Sequence, residues 1–115
     1  MTGLAHKDRL HDGDALRDHA VRVDYIRAVA SLADTAAMML GFGLSEEVVA
    51  RTLHSQRRAL GEKYKEMTTA AQRRNLYRRN TERYGDRRRP GIDHLRSRGN
   101  TWSDIIASAS RPGRL

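Results

Sequence analysis

One stretch of the chain carries an imidazole, a guanidinium and an ammonium at helical spacing. His54, Arg58 and Lys65 occupy positions i, i+4 and i+11, which predicts that they share one side of a helix. RNA cleavage without a metal needs a base for the 2′-hydroxyl proton, cations for the phosphorane charge and an acid for the leaving 5′-oxygen. The spacing therefore predicts a cofactor-free ribonuclease site, with His54 as the base and the other two residues as the cations. The alternative is a helix face with ordinary exposed charges.

The acid, or a group that positions the substrate, is expected later in the chain. Tyr84 and His94 are the candidates, the second if its short helix folds towards the helix of His54. Asn80 lies in line with Tyr77 and Tyr84 on one side of a predicted helix. An amide on such a side is either hydrogen-bonded within the core or open to a ligand, and both interpretations of Asn80 stay open.

Charge is divided sharply along the sequence. Residues 1–50 carry 5 Lys or Arg against 8 Asp or Glu, whereas residues 51–100 carry 15 against 5, so the local charge changes from −3 to +10. A basic region of this kind attracts phosphates, and its tyrosines and asparagines can contact bases. The predicted partner is a nucleic acid, RNA rather than DNA, and the alternative is a solvated arginine face. The predicted binding residues are Arg73, Arg74, Arg78, Arg79, Asn80, Arg83, Arg87, Arg88 and Arg89.

Length and composition exclude several classes of protein. A chain of 115 residues with a net charge of +8 predicts one domain without a large prosthetic group. It contains no cysteine, which excludes disulfides, thiolate metal sites and cysteine nucleophiles. The histidines lack the spacings typical of metal sites, so no metal is expected, and phosphate-binding glycine loops and serine-hydrolase elbows are absent. No apolar run approaches a membrane span, and the N-terminus does not resemble a signal peptide. The oligomeric state is left open.

The apolar spacing predicts an all-α fold, a small single-domain bundle of about four to five helices with a long N-terminal helix. Residues 1–13 are expected to be a flexible N-terminus and residues 14–112 a single helical domain. The first helix is predicted from Asp14 to Leu40, with Gly41 as its stop and a break near Ser31 left open. Its expected inward positions are Leu16, Ala20, Val23, Ile26 or Arg27, Ala30, Ala33, Ala37 and Leu40.

Capping signals define the later helices. Ser45 begins the second helix, whose expected inward stripe is Val49, Leu53, Gln56, Leu60, Tyr64 and Met67. Thr69 and Gln72 have capping-box spacing, which predicts a third helix up to Tyr84, with Gly85 in the left-handed conformation. A basic loop over residues 86–89 and a short turn or helix from Pro90 to Gly99 follow. Thr101 and Asp104 then predict a last capping box.

Two segments resemble domains found at the C-termini of actinobacterial polymorphic toxins of the Rhs/YD-repeat type. The first is Leu53-His54-Ser55-Gln56-Arg57-Arg58-Ala59-Leu60-Gly61-Glu62-Lys63-Tyr64-Lys65. The second comprises Tyr84-Gly85-Asp86, Pro90-Gly91 and the run from Leu95 to Pro112. Together these segments cover roughly residues 45–112. The chain departs from the family pattern at Arg87 to Arg89, because the family's Tyr-Gly-Asp turn continues directly with proline.

The resemblance implies a toxic effector domain used in interbacterial competition. Such a domain is secreted as part of a larger polypeptide, acts in the target-cell cytoplasm and is neutralised by a cognate immunity protein. For a basic domain we expect an acidic immunity protein. The family pattern makes the Tyr84 turn and the His54 helix the expected functional surface, and tRNA is the preferred target among nucleic acids.

A different function class is also compatible with the sequence. The segment from Arg98 to Ala107 resembles the first helix of a helix-turn-helix, in which a recognition helix should follow. Pro112 opposes such a helix, so the alternative function is a DNA-binding regulator that reads DNA through another element. A basic adaptor without catalysis, bound to an acidic protein surface, is the third interpretation.

Overall fold

A computed structural model describes residues 2–85 and 90–112, and it describes side chains within residues 15–85 and 90–112. Five α-helices account for most of this length, and the described residues form no strand. The helices are α1 (Thr2–Gly41), α2 (Glu46–Glu66), α3 (Ala70–Tyr84), α4 (Ile92–Ser97) and α5 (Trp102–Ala109). The predicted all-α fold with a long first helix is therefore confirmed. The expected flexibility of residues 1–13 stays a prediction, and the basic loop over residues 86–89 lies outside the described residues.

Local capping explains where most helices begin and end. The Ser45 hydroxyl accepts a hydrogen bond from the Val48 N–H at the start of α2, and Thr101 and Asp104 form a reciprocal capping box at the start of α5. Gly85 has a φ of 73° at the end of α3, as its position predicted. The helix α1 ends at Gly41, the predicted stop, and the left-handed residue that follows it is Gly43, with a φ of 87°.

The helix α1 runs without interruption past Ser31. The Ser31 hydroxyl donates a hydrogen bond of 2.7 Å to the Ala28 carbonyl, which satisfies the side chain inside the helix. The break considered near this residue is therefore wrong.

The core lies where α1, α2 and α5 meet. Its main cluster consists of Leu32, Ala36, Val49, Leu53 and Ala109. The buried face of α1 differs from the predicted one, because Val21, Val29, Leu32 and Ala36 are buried, whereas Leu16 and most of the predicted alanines are exposed. Alanine is common on several sides of α1 and does not identify the side that packs. Two members of the stripe predicted for α2, Gln56 and Met67, are also exposed.

Arg57 occupies a core position on α2 that was not predicted. Its side chain is buried, with Nε donating to the Tyr25 hydroxyl at 3.1 Å. Its Nη1 donates to three carbonyl oxygens at the end of α5, those of Ser108 at 3.3 Å and of Ala109 and Arg111 at 2.9 Å. One guanidinium therefore joins α1, α2 and the C-terminal end of α5, where helix carbonyls lack intrahelical partners.

A carboxylate of α1 fixes the start of α3. Asp18 accepts hydrogen bonds from the Thr69 N–H at 3.0 Å and from the Thr69 hydroxyl at 2.9 Å, while the same hydroxyl accepts from the Gln72 N–H. In a capping box the side chain of Gln72 would take the Thr69 N–H, and here Asp18 does so. A contact distant in sequence thus sets the direction in which α3 leaves α2.

Among the described residues, no helix combines the length and the apolar character needed to cross a membrane.

Candidate nucleic-acid interface

The helix α3 presents arginines to solvent. It carries five arginines and one glutamate, and none of its residues is buried. Four of the predicted binding residues are exposed on this helix, namely Arg74, Arg78, Arg79 and Arg83. Because α3 contributes no buried residue, its arginines are available to contact a negatively charged partner.

Arg73 is placed differently from the other arginines of α3. Its Nη1 donates to the Thr68 carbonyl at 2.9 Å and to the Lys65 carbonyl at 3.3 Å. These carbonyls lie at the end of α2, where a guanidinium satisfies acceptors and opposes the helix dipole. The side chain is half-buried, so it stabilises the α2–α3 corner and offers less to a ligand than its exposed neighbours.

A cleft opens between the end of α3 and the α4 region. Its volume is about 380 Å³, and it is lined by Arg83, Tyr84, Pro90, His94, Leu95, Arg98 and Asn100. The two residues predicted as the acid or positioning group, Tyr84 and His94, thus line one cavity. Two guanidinium groups lie on the same walls, so the cleft combines cations, an imidazole and an aromatic ring.

Tyr84 is the aromatic wall of the cleft. It is 39% exposed, and the guanidinium carbon of Arg83 lies 5.6 Å from the centre of its ring. The left-handed Gly85 ends α3 directly after it, which leaves the ring at the helix terminus.

The opposite wall is held by contacts around α4. The guanidinium of Arg96 lies 4.1 Å from the centre of the Trp102 ring, and Arg51 of α2 covers the same ring at 5.1 Å. The Asn100 side-chain amide donates to the Leu95 carbonyl at 3.0 Å. These contacts fix the α4–α5 turn against α2, which positions His94 and Arg98 although α4 has no buried residue.

Arg58 lies beside this wall. A Cβ atom placed on Gly91 would lie 3.7 Å from Arg58 Nη1, so the guanidinium is next to the residue that begins α4. Arg58 is exposed. Among the cations predicted on α2, it is therefore the one that the structure brings to the neighbourhood of the cleft.

His54 is half-buried and does not line the cleft. Its Nε2 is shielded from solvent and has no hydrogen-bond partner. Burial, followed by the nearby positive charge of Arg58, lowers the pKa of His54 below its ordinary value of 6.5. The imidazole is thus neutral at neutral pH, as a base should be, but this nitrogen is closed to a substrate.

Lys65 does not converge with His54 on one phosphate. Eleven residues separate them along α2, a distance of about 16 Å along the helix axis. The Lys65 ammonium lies 5.3 Å from the centre of the Tyr77 ring and 3.5 Å from a Glu62 carboxylate oxygen. The predicted row on α2 is therefore split into a shielded imidazole, an exposed guanidinium and an ammonium engaged with α3.

The remaining predicted residues lie apart from the cleft or outside the described chain. Asn80 is half-buried and does not line the cleft, so its role as a core or ligand-binding group stays open. Arg87, Arg88 and Arg89 lie outside the described residues.

Two polar residues of the cleft, Arg98 and Asn100, were not predicted as site residues. Their signal was present in the sequence, since both follow His94 within six positions and flank Gly99. Gly99 has a φ of 88°, so the chain turns there and returns both side chains to the same wall.

In the part of the chain that the structure describes, no group of three or more His, Cys, Asp or Glu residues is arranged to hold a metal. No protein-family model, curated protein or solved structure matches this chain. The resemblance to polymorphic-toxin domains thus stays a prediction.

Proposed function

We propose that this chain is an effector domain that acts on RNA and that the RNA backbone enters the cleft between α3 and α4. The observation that carries the proposal is the convergence of His94, Tyr84, Arg83 and Arg98 on one cavity. An imidazole beside two guanidinium groups suits a phosphodiester, because guanidinium groups bind phosphate oxygens in bidentate fashion and imidazole transfers protons.

The exposed arginines of α3 extend the cationic surface away from the cleft. Arg74, Arg78 and Arg79 supply contacts to neighbouring phosphates, and each such contact releases counterions from the nucleic acid. These contacts hold the strand without reading its sequence. The affinity is therefore expected to fall steeply as salt rises.

Cleavage in this cleft would use His94 in the place first given to His54. His94 takes the 2′-hydroxyl proton while the 2′-oxygen forms a bond to phosphorus. Arg83 and Arg98 stabilise the charge on the phosphorane. The bond to the 5′-oxygen then breaks, and the proton passes from His94 to that oxygen. The products are a 2′,3′-cyclic phosphate and a 5′-hydroxyl, and no metal takes part.

The biological setting follows from the sequence resemblance and is part of the same proposal. The domain is delivered from a larger secreted polypeptide, acts in the target-cell cytoplasm, with tRNA as the preferred target, and is neutralised by an acidic immunity protein. Charge complementarity would direct that protein to the arginines of α3, where it would close the cleft.

The test compares His94→Ala with His19→Ala, a matched change at an exposed histidine of α1. Each protein is incubated with labelled RNA in the presence of a chelator, and the product ends are identified. The parent and His19→Ala should yield 2′,3′-cyclic phosphate ends. His94→Ala should cleave about 10²- to 10⁴-fold more slowly, the usual contribution of general acid–base catalysis. Equal rates for the two variants would remove His94 from the mechanism.

A nucleic-acid-binding protein without catalysis is the second candidate. It is favoured by the shielding of the His54 Nε2, which leaves His94 as the imidazole in the cleft. Salt-dependent RNA binding with intact RNA after long incubation would identify this function.

A further inference from the structure

The aromatic side chains of the domain differ in how much of each ring is free. Tyr25 and Tyr64 lie against each other with ring centres 5.7 Å apart. Trp102 is contacted by both Arg96 and Arg51. Tyr84 lines the cleft with 39% of its surface exposed, although the guanidinium of Arg83 lies 5.6 Å from the centre of its ring. A large exposed ring in a cationic cavity is a stacking surface for a planar group.

We infer that the cleft receives one unstacked base against Tyr84, and that the RNA recognised is therefore single-stranded or looped. This inference rests on the proposed function and specifies its substrate class. Tyr84, Pro90 and Leu95 give the cavity apolar walls, while Arg83 and Arg98 supply cations for the phosphates that flank the base. A base within a duplex is stacked on both sides and paired at its edge, so it cannot enter a cavity on a protein surface without leaving the helix.

Electrostatics and stacking predict opposite preferences. Duplex nucleic acid has the higher charge density, so the arginines of α3 alone would bind a duplex at least as well as a single strand. Stacking on Tyr84 is possible only for a free base, and it strengthens binding about 5- to 150-fold per base. A preference for the single strand would therefore show stacking in the cleft, because the charge of α3 alone does not produce it.

The experiment measures the affinity of the full chain for a 12-nucleotide RNA without self-complementarity, free or annealed to its complement, at one salt concentration. The variants are Tyr84→Ala, which removes the ring, and Tyr84→Phe, which keeps the ring and removes the hydroxyl. The control is Phe42→Ala, because Phe42 is 81% exposed in the α1–α2 turn and does not line the cleft.

The parent should prefer the single strand. Tyr84→Ala should weaken single-strand binding about 5- to 150-fold and leave duplex binding unchanged, whereas Tyr84→Phe and Phe42→Ala should resemble the parent. Equal affinity for the two forms, or a single-strand preference that persists in Tyr84→Ala, would overturn the inference about the base but would leave the proposal that the domain binds RNA. Absence of binding to either RNA would overturn the proposed function as well.

Discussion

Replacement of Arg57 by leucine should destabilise the domain more than any surface change on α2. Leucine keeps an apolar stem in the core but removes the donors that serve the Tyr25 hydroxyl and three carbonyls at the end of α5. The Ala109 bond is buried, so its acceptor would be left without a replacement. Removing a charged donor while its acceptors remain buried is costly. Replacing the donor and its acceptors together by apolar groups can leave the stability unchanged, but Arg57→Leu removes only the donor.

The size of the effect follows from those bonds. A hydrogen bond that involves a charged group contributes about 1.5–3 kcal/mol, and one neutral acceptor left unsatisfied in the interior costs about 1–3 kcal/mol. The partly buried acceptors recover water, so we expect a total loss of about 3–5 kcal/mol. A domain of this length is stable by roughly 5–15 kcal/mol, so the variant should fold only marginally. Tyr25→Phe, which removes one acceptor, should cost about 1 kcal/mol.

Urea denaturation of the parent, Arg57→Leu and Arg58→Leu measures these differences. Arg58 is the adjacent residue and is exposed, so Arg58→Leu should change the free energy of unfolding by no more than about 0.5 kcal/mol. The melting temperature of Arg57→Leu should fall by about 12 °C or more. If the two leucine variants were equally stable, the junction of α1, α2 and α5 would not depend on Arg57.

Two further changes test the polar contacts around α2 and α3. His54→Leu should leave the free energy of unfolding at pH 7.5 unchanged or raise it, because it removes a shielded nitrogen without a partner. Since burial lowers the pKa of His54, the unfolded chain binds the proton more readily, and the parent should lose stability as the pH falls below 6.5. His54→Leu should flatten that decline in urea titrations at several pH values. Asp18→Ala removes both Asp18 bonds to Thr69 and should cost about 1–2 kcal/mol, with amide hydrogens of α3 exchanging faster.

Each of these results has a control. His19→Leu, at an exposed histidine, should keep the parent's stability profile between pH 5 and 7.5, and an unchanged slope in His54→Leu would assign the pH dependence to other groups. Asp24→Ala removes an exposed carboxylate from the same helix as Asp18 and should be nearly neutral. Equal exchange rates in the two aspartate variants would show that α3 begins without help from α1.

Helix boundaries were predictable because they depend on local chemistry. The Ser45, Thr69 and Thr101 hydroxyls each cap the helix that follows, and Gly85 ends α3, as the spacing of these residues indicated. These signals involve groups within four residues of one another, so no knowledge of the tertiary structure is needed.

The packing faces were harder to predict. Arg57 follows Leu53 by four residues and so continues the buried stripe of α2, yet a charged side chain is seldom placed in a core from sequence alone. Its partners, the carbonyls at the end of α5, come from backbone 51 to 54 residues later and have no sequence signature. Asp18, one of several acids in α1, likewise acquires its role only through the position of Thr69.

The residue types of the candidate site were predictable from the sequence, but their positions relative to one another were not. Tyr84 and His94 were selected for their chemistry, and both line the cleft. His54 was placed with Arg58 and Lys65 because helical spacing aligns residues along an axis, but spacing does not report which side the neighbouring helices cover. The cleft depends on how α4 lies relative to α2, and Trp102 of α5 links them, because Arg96 of α4 and Arg51 of α2 both contact its ring.

The buried residues of the described chain lie in α1, α2 and α5. The segment 67–101, which includes α3 and α4, connects two parts of this core, and its described residues, 67–85 and 90–101, contribute no buried residue. Mutations that alter the exposed arginines of α3, or that lengthen this connection, therefore leave the buried residues unchanged. Doubling the length of a flexible connection costs only about 0.6 kcal/mol. A lineage of such proteins could diverge rapidly in this segment while α1, α2 and α5 change slowly. The same separation makes residues 67–101 a natural unit for exchange between related scaffolds, with Asp18 and Arg57 as the positions that a host scaffold must retain.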